Sequence, residues 1–403
     1  MCDTVNMIGD RIKQARLAIG ATLEEIASAM TDAGTPITKA GLSKYEKNKS
    51  IPSQTFLMSL ARHLKVKPSF FITEPEYEIR WHAFRKQTKM PKRFQGHVKA
   101  SAQCKVEAQL WLTSILHPDE KPCFPEPIAV RNFEQVEKAA VSLRDVWKLQ
   151  DRTIGCLVEL AESNGVIVVE HTGIERDREF DGLSGIVNDH FPVAVISTSG
   201  SDDRIRYTLA HELGHLAMNC SGIDEKEEEG LAHRFASAFI VPEQVMRKEL
   251  GDKRRNVALR EFAVLKQKHG LSMQSLVRRA RDLDIISHAH YTSLFRQFSS
   301  LGWRKKEPVD FKSGEKPTRL LQMVLRALAE GIVSEQRAEH LLPGSVSQGQ
   351  LSSQHFNAYE LRRMTLEQRA TVLEAAASEA AVDYIADAEL TDFEAFSEDD
   401  LYA

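Results

Sequence analysis

Apolar residues recur at helical spacing along most of the chain, and the places where that spacing breaks divide it. In the first seventy or so residues Gly20, Gly34 and Pro52 punctuate four short amphipathic runs, 7 to 18, 22 to 31, 38 to 48 and 53 to 64. Runs this short with such breaks predict a compact all-helical bundle. Thr22 stands directly before Leu23-Glu-Glu-Ile-Ala27, where a hydroxyl can cap the first turn. In the third run Leu42 and Tyr45 turn inward, which leaves hydroxyl, amide and ammonium groups on the other face. From Glu74 to Arg93 prolines, aromatics and clustered bases replace the periodic pattern, and the stretch reads as a linker. A helix is expected over 95 to 117. Further on, Ile205, Leu209, Leu213 and Leu216 share one helical face, and Leu231, Ala232, Phe235, Ala236, Phe239 and Ile240 form an amphipathic helix that stops at Pro242. Leu271-Ser-Met-Gln-Ser-Leu-Val-Arg-Arg-Ala-Arg281 has another helix-turn-helix-like pattern and is read as structural, and an apolar helix is expected over 317 to 329.

Composition narrows the class. A chain of 403 residues with 42% apolar content has core material for two or three domains. The net charge is −4, yet residues 1 to 71 carry ten Lys and Arg against six Asp and Glu, so a basic module sits in an acidic chain. Positions 355 to 403 hold three basic and twelve acidic residues, which predicts a helix followed by an acidic tail. Cysteines 2, 104, 123, 156 and 220 show no CxxC pairing, which argues against a disulfide framework or a cysteine-zinc ribbon. No apolar run approaches the roughly twenty residues of a membrane span, and the start lacks a basic stretch leading into an apolar one. A cytoplasmic protein with no membrane partner is expected. No internal repeat, phosphate loop or dinucleotide fingerprint is present.

One stretch carries chemistry outright. His211-Glu212-Leu213-Gly214-His215 is an HExxH motif within the helical run. Residues four apart share a helix face, so His211 and His215 can aim two imidazoles at one Zn²⁺, with Glu212 one step round as general base toward the metal-bound water. Gly214 is expected to leave room beside the metal. A third ligand must come from elsewhere, and Glu227, Glu228 and Glu229 open the next helix. Glu229 is chosen, because Ala232 and Ala236 beyond it let that helix pack close and bring a carboxylate across. An acidic first turn favoured by the helix dipole is the alternative reading of all three.

Two resemblances follow from these residues. Asp203-Arg-Ile-Arg-Tyr-Thr-Leu-Ala-His-Glu-Leu-Gly-His215, Glu229-Gly-Leu-Ala-His-Arg-Phe-Ala236 and Val241-Pro242 resemble the ImmA/IrrE metallopeptidases, and Ala139 to Trp147, Gly165 to Val169 and Phe180 to Gly185 resemble that family's first helix and small sheet. The resemblance implies a zinc-dependent endopeptidase acting on protein regulators, with His211, His215 and Glu229 as ligands and Glu212 as base. Many relatives carry a further Glu before the Ala of the second motif. Leu231 stands there in this chain, which favours Glu229. Arg11 to Arg16, Leu23 to Ala27, Leu42 to Glu46 and Ile51-Pro52 resemble the Xre-type (Cro/C1) helix-turn-helix of repressors, whose second motif helix reads DNA. That match makes Thr38, Lys39, Ala40, Ser43 and Lys44 groove-facing and sets Lys47, Asn48 and Lys49 near the phosphate backbone. The turn 31 to 36 is longer than usual, and Leu23 stands where relatives often have a phosphate-binding Gln.

The expected fold is mainly α with a small β-sheet: an N-terminal helix-turn-helix bundle (1 to 73), a linker and bridging helix (74 to 125), an HExxH metallopeptidase-like α+β domain (126 to 290), a helical closing region (291 to 350), and a helix with acidic tail (351 to 403). The expected function is a DNA-binding regulator with a zinc endopeptidase that cleaves a regulatory protein, another repressor or itself, on a double-stranded operator and as a homodimer. The alternative is a repressor or antitoxin whose metal domain is a non-catalytic sensor or structural site. A small-molecule zinc hydrolase leaves the lysine-rich helix unexplained.

Overall fold

The structure, a computed structural model, describes residues 3 to 73, 77 to 82, 91 to 171, 180 to 346 and residue 369. Residues Met1–Leu342 form one compact unit and Pro343–Ala403 a second. The expected acidic tail over 351 to 403, Arg369 apart, and the basic Phe84-Arg-Lys86 group lie outside the described residues. The described fold is mainly helical, with a four-stranded and a two-stranded sheet.

The bundle comprises α1 (Asp3–Ala18), α2 (Leu23–Asp32), α3 (Lys39–Glu46) and α4 (Gln54–His63), closed by a 3-10 turn at Pro68–Phe71. Ile12, Met30, Leu42, Leu60 and Phe71 fill its core. Thr22 caps α2 reciprocally: its hydroxyl accepts the Glu25 N–H at 3.1 Å, and the Glu25 carboxylate accepts the Thr22 N–H at 2.5 Å. Arg16 grips both carboxylate oxygens of Glu46 at 2.5 and 2.9 Å, which ties α1 to α3 inside the bundle. At the end of α3, Asn48 adopts φ of 54° and its side-chain carbonyl accepts the Gly9 N–H at 2.8 Å. A Cβ on Gly9 would stand 2.2 Å from the Tyr45 carbonyl, so only glycine lets α1 lie this close to α3.

The larger sheet has the order β1-β4-β5-β3, formed by β1 (Ile79–Trp81), β3 (Ile167–His171), β4 (Gly182–Val187) and β5 (Phe191–Ser197), with β3 and β5 parallel and the other pairs antiparallel. Both faces are covered, which explains why β3 and β5 read as continuous apolar runs. Ile167, Val169, Val193 and Val195 face α5 (Lys92–Leu116) and meet Val98, Ala102, Val106 and Leu110 there. The alternate residues Val168, Ala194 and Ile196 join the other core with Leu209 and Leu213.

One feature departs from the expected linker, and the expected bridging helix also covers the sheet. Ile79–Trp81, within the stretch read as linker, is an edge strand paired with β4. The helix expected over 95 to 117 is α5, which covers one face of the larger sheet. It also carries the bundle: Glu107 accepts from Arg11 at 3.2 Å and Gln14 at 3.4 Å, and the Leu17 carbonyl meets His97 Nδ1 at 2.7 Å.

On the other face lie α6 (Phe133–Val146), α7 (Leu157–Ser163), α8 (Asp202–Ala217), α9 (Glu225–Ile240), α10 (Glu243–Leu250), α11 (Leu259–His269), α12 (Met273–Asp282) and α13 (His288–Ser300), with the two-stranded sheet β2 (Ile128–Ala129) and β6 (Met218–Asn219). Helix α12, the second helix-turn-helix-like pattern, buries Met273, Leu276, Val277 and Ala280, and Arg279 is fully buried on Glu137 and the Val241 carbonyl. That is structural packing. Helices α14 (Arg319–Ala329) and α15 (Glu335–Leu341) follow.

Candidate metal centre and nucleic-acid face

Helix α8 is fastened at its N-terminal end. Asp202 accepts the N–H groups of Ser313 and Gly314 at 2.6 and 2.8 Å. Asp203 pairs with buried Lys266 at 3.1 Å, and Lys266 with Glu307 at 2.9 Å. Arg206, fully buried, donates to Glu315 at 2.7 Å, to the His269 carbonyl at 2.8 Å and to the Gly155 carbonyl. Glu315 in turn accepts the N–H groups that open α7, Leu157 at 3.0 Å and Val158 at 2.9 Å. Paired and hydrogen-bonded this fully, the buried charges fix the helix and its side chains.

Helix α9 crosses α8 closely because both are lined by small residues. Ala232 and Ala236 are fully buried, and a Cβ on Gly214 would meet Phe235 at 2.9 Å. Gly214 therefore makes room for α9, where the sequence suggested room beside a metal. The close crossing brings the first turn of α9, capped by Asp224, over the two histidines. The three acidic residues separate there. Glu227 is exposed, Glu228 Oε1 stands 3.4 Å from His215 Nδ1, and Glu229 reaches the Nε2 atoms.

His211 Nε2 and His215 Nε2 are 3.2 Å apart, Glu229 Oε1 is 3.3 Å from His215 Nε2, and Glu229 Oε2 is 3.5 Å from His211 Nε2. Donors bound tetrahedrally to Zn²⁺ at about 2.0 to 2.1 Å stand about 3.3 to 3.4 Å from one another; the two imidazole nitrogens have about that spacing, and the Glu229 carboxylate faces them with a different oxygen toward each. Glu229 Oε2 is buried and makes no hydrogen bond, as befits an oxygen arranged for a cation, while the Nδ1 atoms of His211 and His215, on the other side of each ring, also make none. Burial pushes the Glu229 carboxyl up, but the flanking imidazoles outweigh it and hold the group well below the usual carboxylate range. The residues present fit a zinc ion.

Glu212, 7% exposed, lies against β4: a Cβ on Gly182 would fall 2.7 Å from its Oε1. Gly182 is thus the glycine that makes room at the centre. Tyr207 reaches His233 Nδ1 at 3.1 Å, and the His233 ring stands 4.5 Å from that of His211. Burial pushes the Tyr207 phenol up to about 12, which keeps it neutral. Glu228, Gly182, Tyr207 and His233 were not singled out in the sequence for roles at the centre. Spacing from His211 places Tyr207 on its face of α8, but Glu228 and Gly182 depend on contacts between elements. The four described cysteines, 104, 123, 156 and 220, form no disulfide with one another.

In the bundle, Thr38, Lys39, Ala40, Lys44, Lys47 and Lys49 are exposed and Ser43 half-buried. Thr38 doubles as the N-cap of α3, accepting the Gly41 N–H at 3.1 Å, and Lys39 pairs with Glu24 of α2 at 3.1 Å. Asn48 differs from the rest: its carbonyl oxygen is committed to Gly9.

Residues 169–281 match the family model described as the IrrE N-terminal-like domain, a peptidase family, and residues 12–71 match the one described as helix-turn-helix. Comparison with curated proteins and with solved structures found no match. The chain thus carries a segment similar to Xre-type DNA-binding domains, followed by one similar to ImmA/IrrE metallopeptidase-like domains. No described helix is long and apolar enough to cross a membrane.

Proposed function

We propose that the chain is a DNA-binding transcriptional regulator whose metal centre hydrolyses a peptide bond in a regulatory protein, another repressor or the chain itself, and so relieves repression. The observation that carries the reading is the convergence of three groups, one residue away from a buried carboxylate: His211 Nε2 and His215 Nε2 lie 3.2 Å apart, with one Glu229 oxygen 3.3 Å from His215 and the other 3.5 Å from His211. When bound there, Zn²⁺ supplies a Lewis acid that polarises a carbonyl and brings the pKa of a coordinated water to about 7.

The chain's own residues do the rest. His211 and His215 present Nε2 to the ion, and Glu229 adds the negative charge that offsets part of its own. Glu228 Oε1, 3.4 Å behind Nδ1 of His215, adds a negative charge on the far side of that ring. Glu212 takes the proton from the attacking water and returns it to the departing amide nitrogen. Its burial against Gly182 limits its rotamers, which keeps its oxygens near the centre through both transfers. A purely structural or sensing site has no use for a carboxylate held in this position. On α3, Thr38, Lys39, Ala40, Ser43 and Lys44 enter the major groove, Lys47 and Lys49 neutralise phosphates, and Asn48 shapes the helix end that presents them. A homodimer on a two-fold operator in the cytoplasm completes the reading.

The test incubates the zinc-loaded chain with products of neighbouring genes, and then alone. A single new fragment, absent from Glu212→Gln and from chelator-treated protein, is the expected result. A parent that cleaves nothing, together with a Glu212→Gln chain that regulates normally, would favour the sensor.

A further inference from the structure

The linker strand belongs to the wall of the metal site. Strand β1 lies on β4 with Trp81 opposite Gly185 and Ile79 opposite Val187, and the ladder runs one step further, where the His82 N–H donates to the Ser184 carbonyl at 2.9 Å. The pairing is built into β4: a Cβ on Gly185 would stand 2.8 Å from the Arg80 carbonyl and 3.0 Å from Ile79 and Trp81 atoms. Ile79 and Trp81 pack into the core under α5. Strand alternation therefore turns Arg80 and His82 to the opposite face, the face of α8 and the metal centre. A cavity of about 370 Å³ opens on that face, with apolar walls that include Ile186, Leu216, Met218 and Ile223 on one part and a polar part to which metal-centre residue His215, Glu228 and linker residue His82 contribute.

We propose that this cavity receives one apolar side chain, aliphatic or aromatic, of a peptide bound at the metal centre, and that His82, carried by the linker strand, is a specificity-determining wall of it. The inference rests on the metal reading given above and goes further, in naming the substrate class and in making the segment between the two modules part of the site. The apolar walls beside a ligand histidine suit a hydrocarbon side chain, and Glu228 at the same cavity repels a carboxylate.

The test is binding to the full zinc-loaded chain by calorimetry, with acetohydroxamate and the hydroxamates of N-acetyl glycine, leucine, phenylalanine and aspartate as probes. Leucine and phenylalanine hydroxamates are expected to bind more tightly than the glycine one, by about fourfold for each methylene buried, and aspartate not to gain. His82→Ala, which widens the cavity, and Gly185→Val, which pushes the strand off β4, are each expected to change the phenylalanine-to-leucine ratio while acetohydroxamate binding stays as in the parent. Equal affinity for all side chains would overturn the subsite. A ratio unchanged in both variants would overturn the role of the linker strand. Failure of every hydroxamate, acetohydroxamate included, would overturn the metal reading and this inference with it.

Discussion

Helices α3 and α8 are the two chemical helices of the chain, and they are built in opposite ways. On α3 and its caps most side chains proposed for DNA stand in solvent, Ser43 and Asn48 being half-buried, and the helix is fastened from behind by Leu42 and the Glu46–Arg16 pair. On α8 the side chains proposed for the metal are at most 8% exposed, and the helix is fastened at its other end by Asp202, Asp203 and Arg206. The difference follows from the size of the partner. A duplex needs a convex face, while an ion needs donors that converge and are shielded from water. Changes behind α8 should therefore cost stability and metal together, whereas changes on the face of α3 should cost binding alone.

The largest effect is expected at Glu315, fully buried against Arg206. Glu315→Ala leaves that guanidinium buried with carbonyls alone and uncaps α7, and removal of one partner of a buried pair costs about 3 to 5 kcal/mol. Urea unfolding should show that loss. A change below about 1 kcal/mol would mean that α8 is not held as the hydrogen bonds imply.

Glu162 carries the next effect, on pH. Its carboxyl sits behind the start of α14, accepting the Thr318 and Arg319 N–H groups at 3.3 Å, and burial pushes its pKa up to about 7. The folded protein thus holds this proton more tightly than the unfolded chain does. The stability it contributes is complete below about 4.5 and is lost as pH rises through about 7, to an extent of at most about 3 kcal/mol. Glu162→Gln should flatten that part of the stability profile between pH 5 and 8. An unchanged profile would show that Glu162 ionises in the fold as it does in water.

The contrast between the helices also explains what could be read in advance. His211, Glu212 and His215 were legible because a single helix turn sets their spacing, and the four bundle helices because glycine, proline and Thr22 mark their ends. Glu229 needed one packing argument, the small residues of α9. Glu315 lies 109 residues from Arg206, in a stretch with no regular period, and no local pattern announces it. The strand Ile79–Trp81 was missed for a related reason: three residues are too few to show alternation, and the signal for it is Gly185, on the partner strand. Gly214 was misread because a glycine beside a motif reports only that something comes close, and here that is Phe235.

Glu228 tests the centre itself. Its carboxylate stands behind His215 Nδ1, and loss of such an outer partner typically weakens metal binding by about 10- to 100-fold. Glu228→Gln should raise the zinc dissociation constant by that factor in a chelator competition, while Glu227→Gln, in the exposed first turn, should leave it within about twofold. Equal effects would point to the summed charge of the helix start, the reading in which all three residues serve the dipole.

The smallest effect is expected on α3, and it separates fold from partner most cleanly. Lys39 pairs with Glu24 at 3.1 Å, and both side chains are largely in solvent, at 63 and 72% exposure. Such a pair contributes about 0 to 1 kcal/mol to folding, and salt screens it further. Its carboxylate nonetheless competes with a phosphate or base edge for the one ammonium at the start of the reading helix. Glu24→Gln should therefore leave urea unfolding within about 0.5 kcal/mol of the parent and tighten operator binding, with the logarithmic salt slope steeper by up to about 1 because Lys39 can then displace a counterion fully. Lys39→Ala should weaken binding by a similar factor with the same small effect on stability. If both variants bound DNA as the parent does, the start of α3 would lie away from the duplex, and the resemblance that sets Lys39 in the groove would not carry over to this chain.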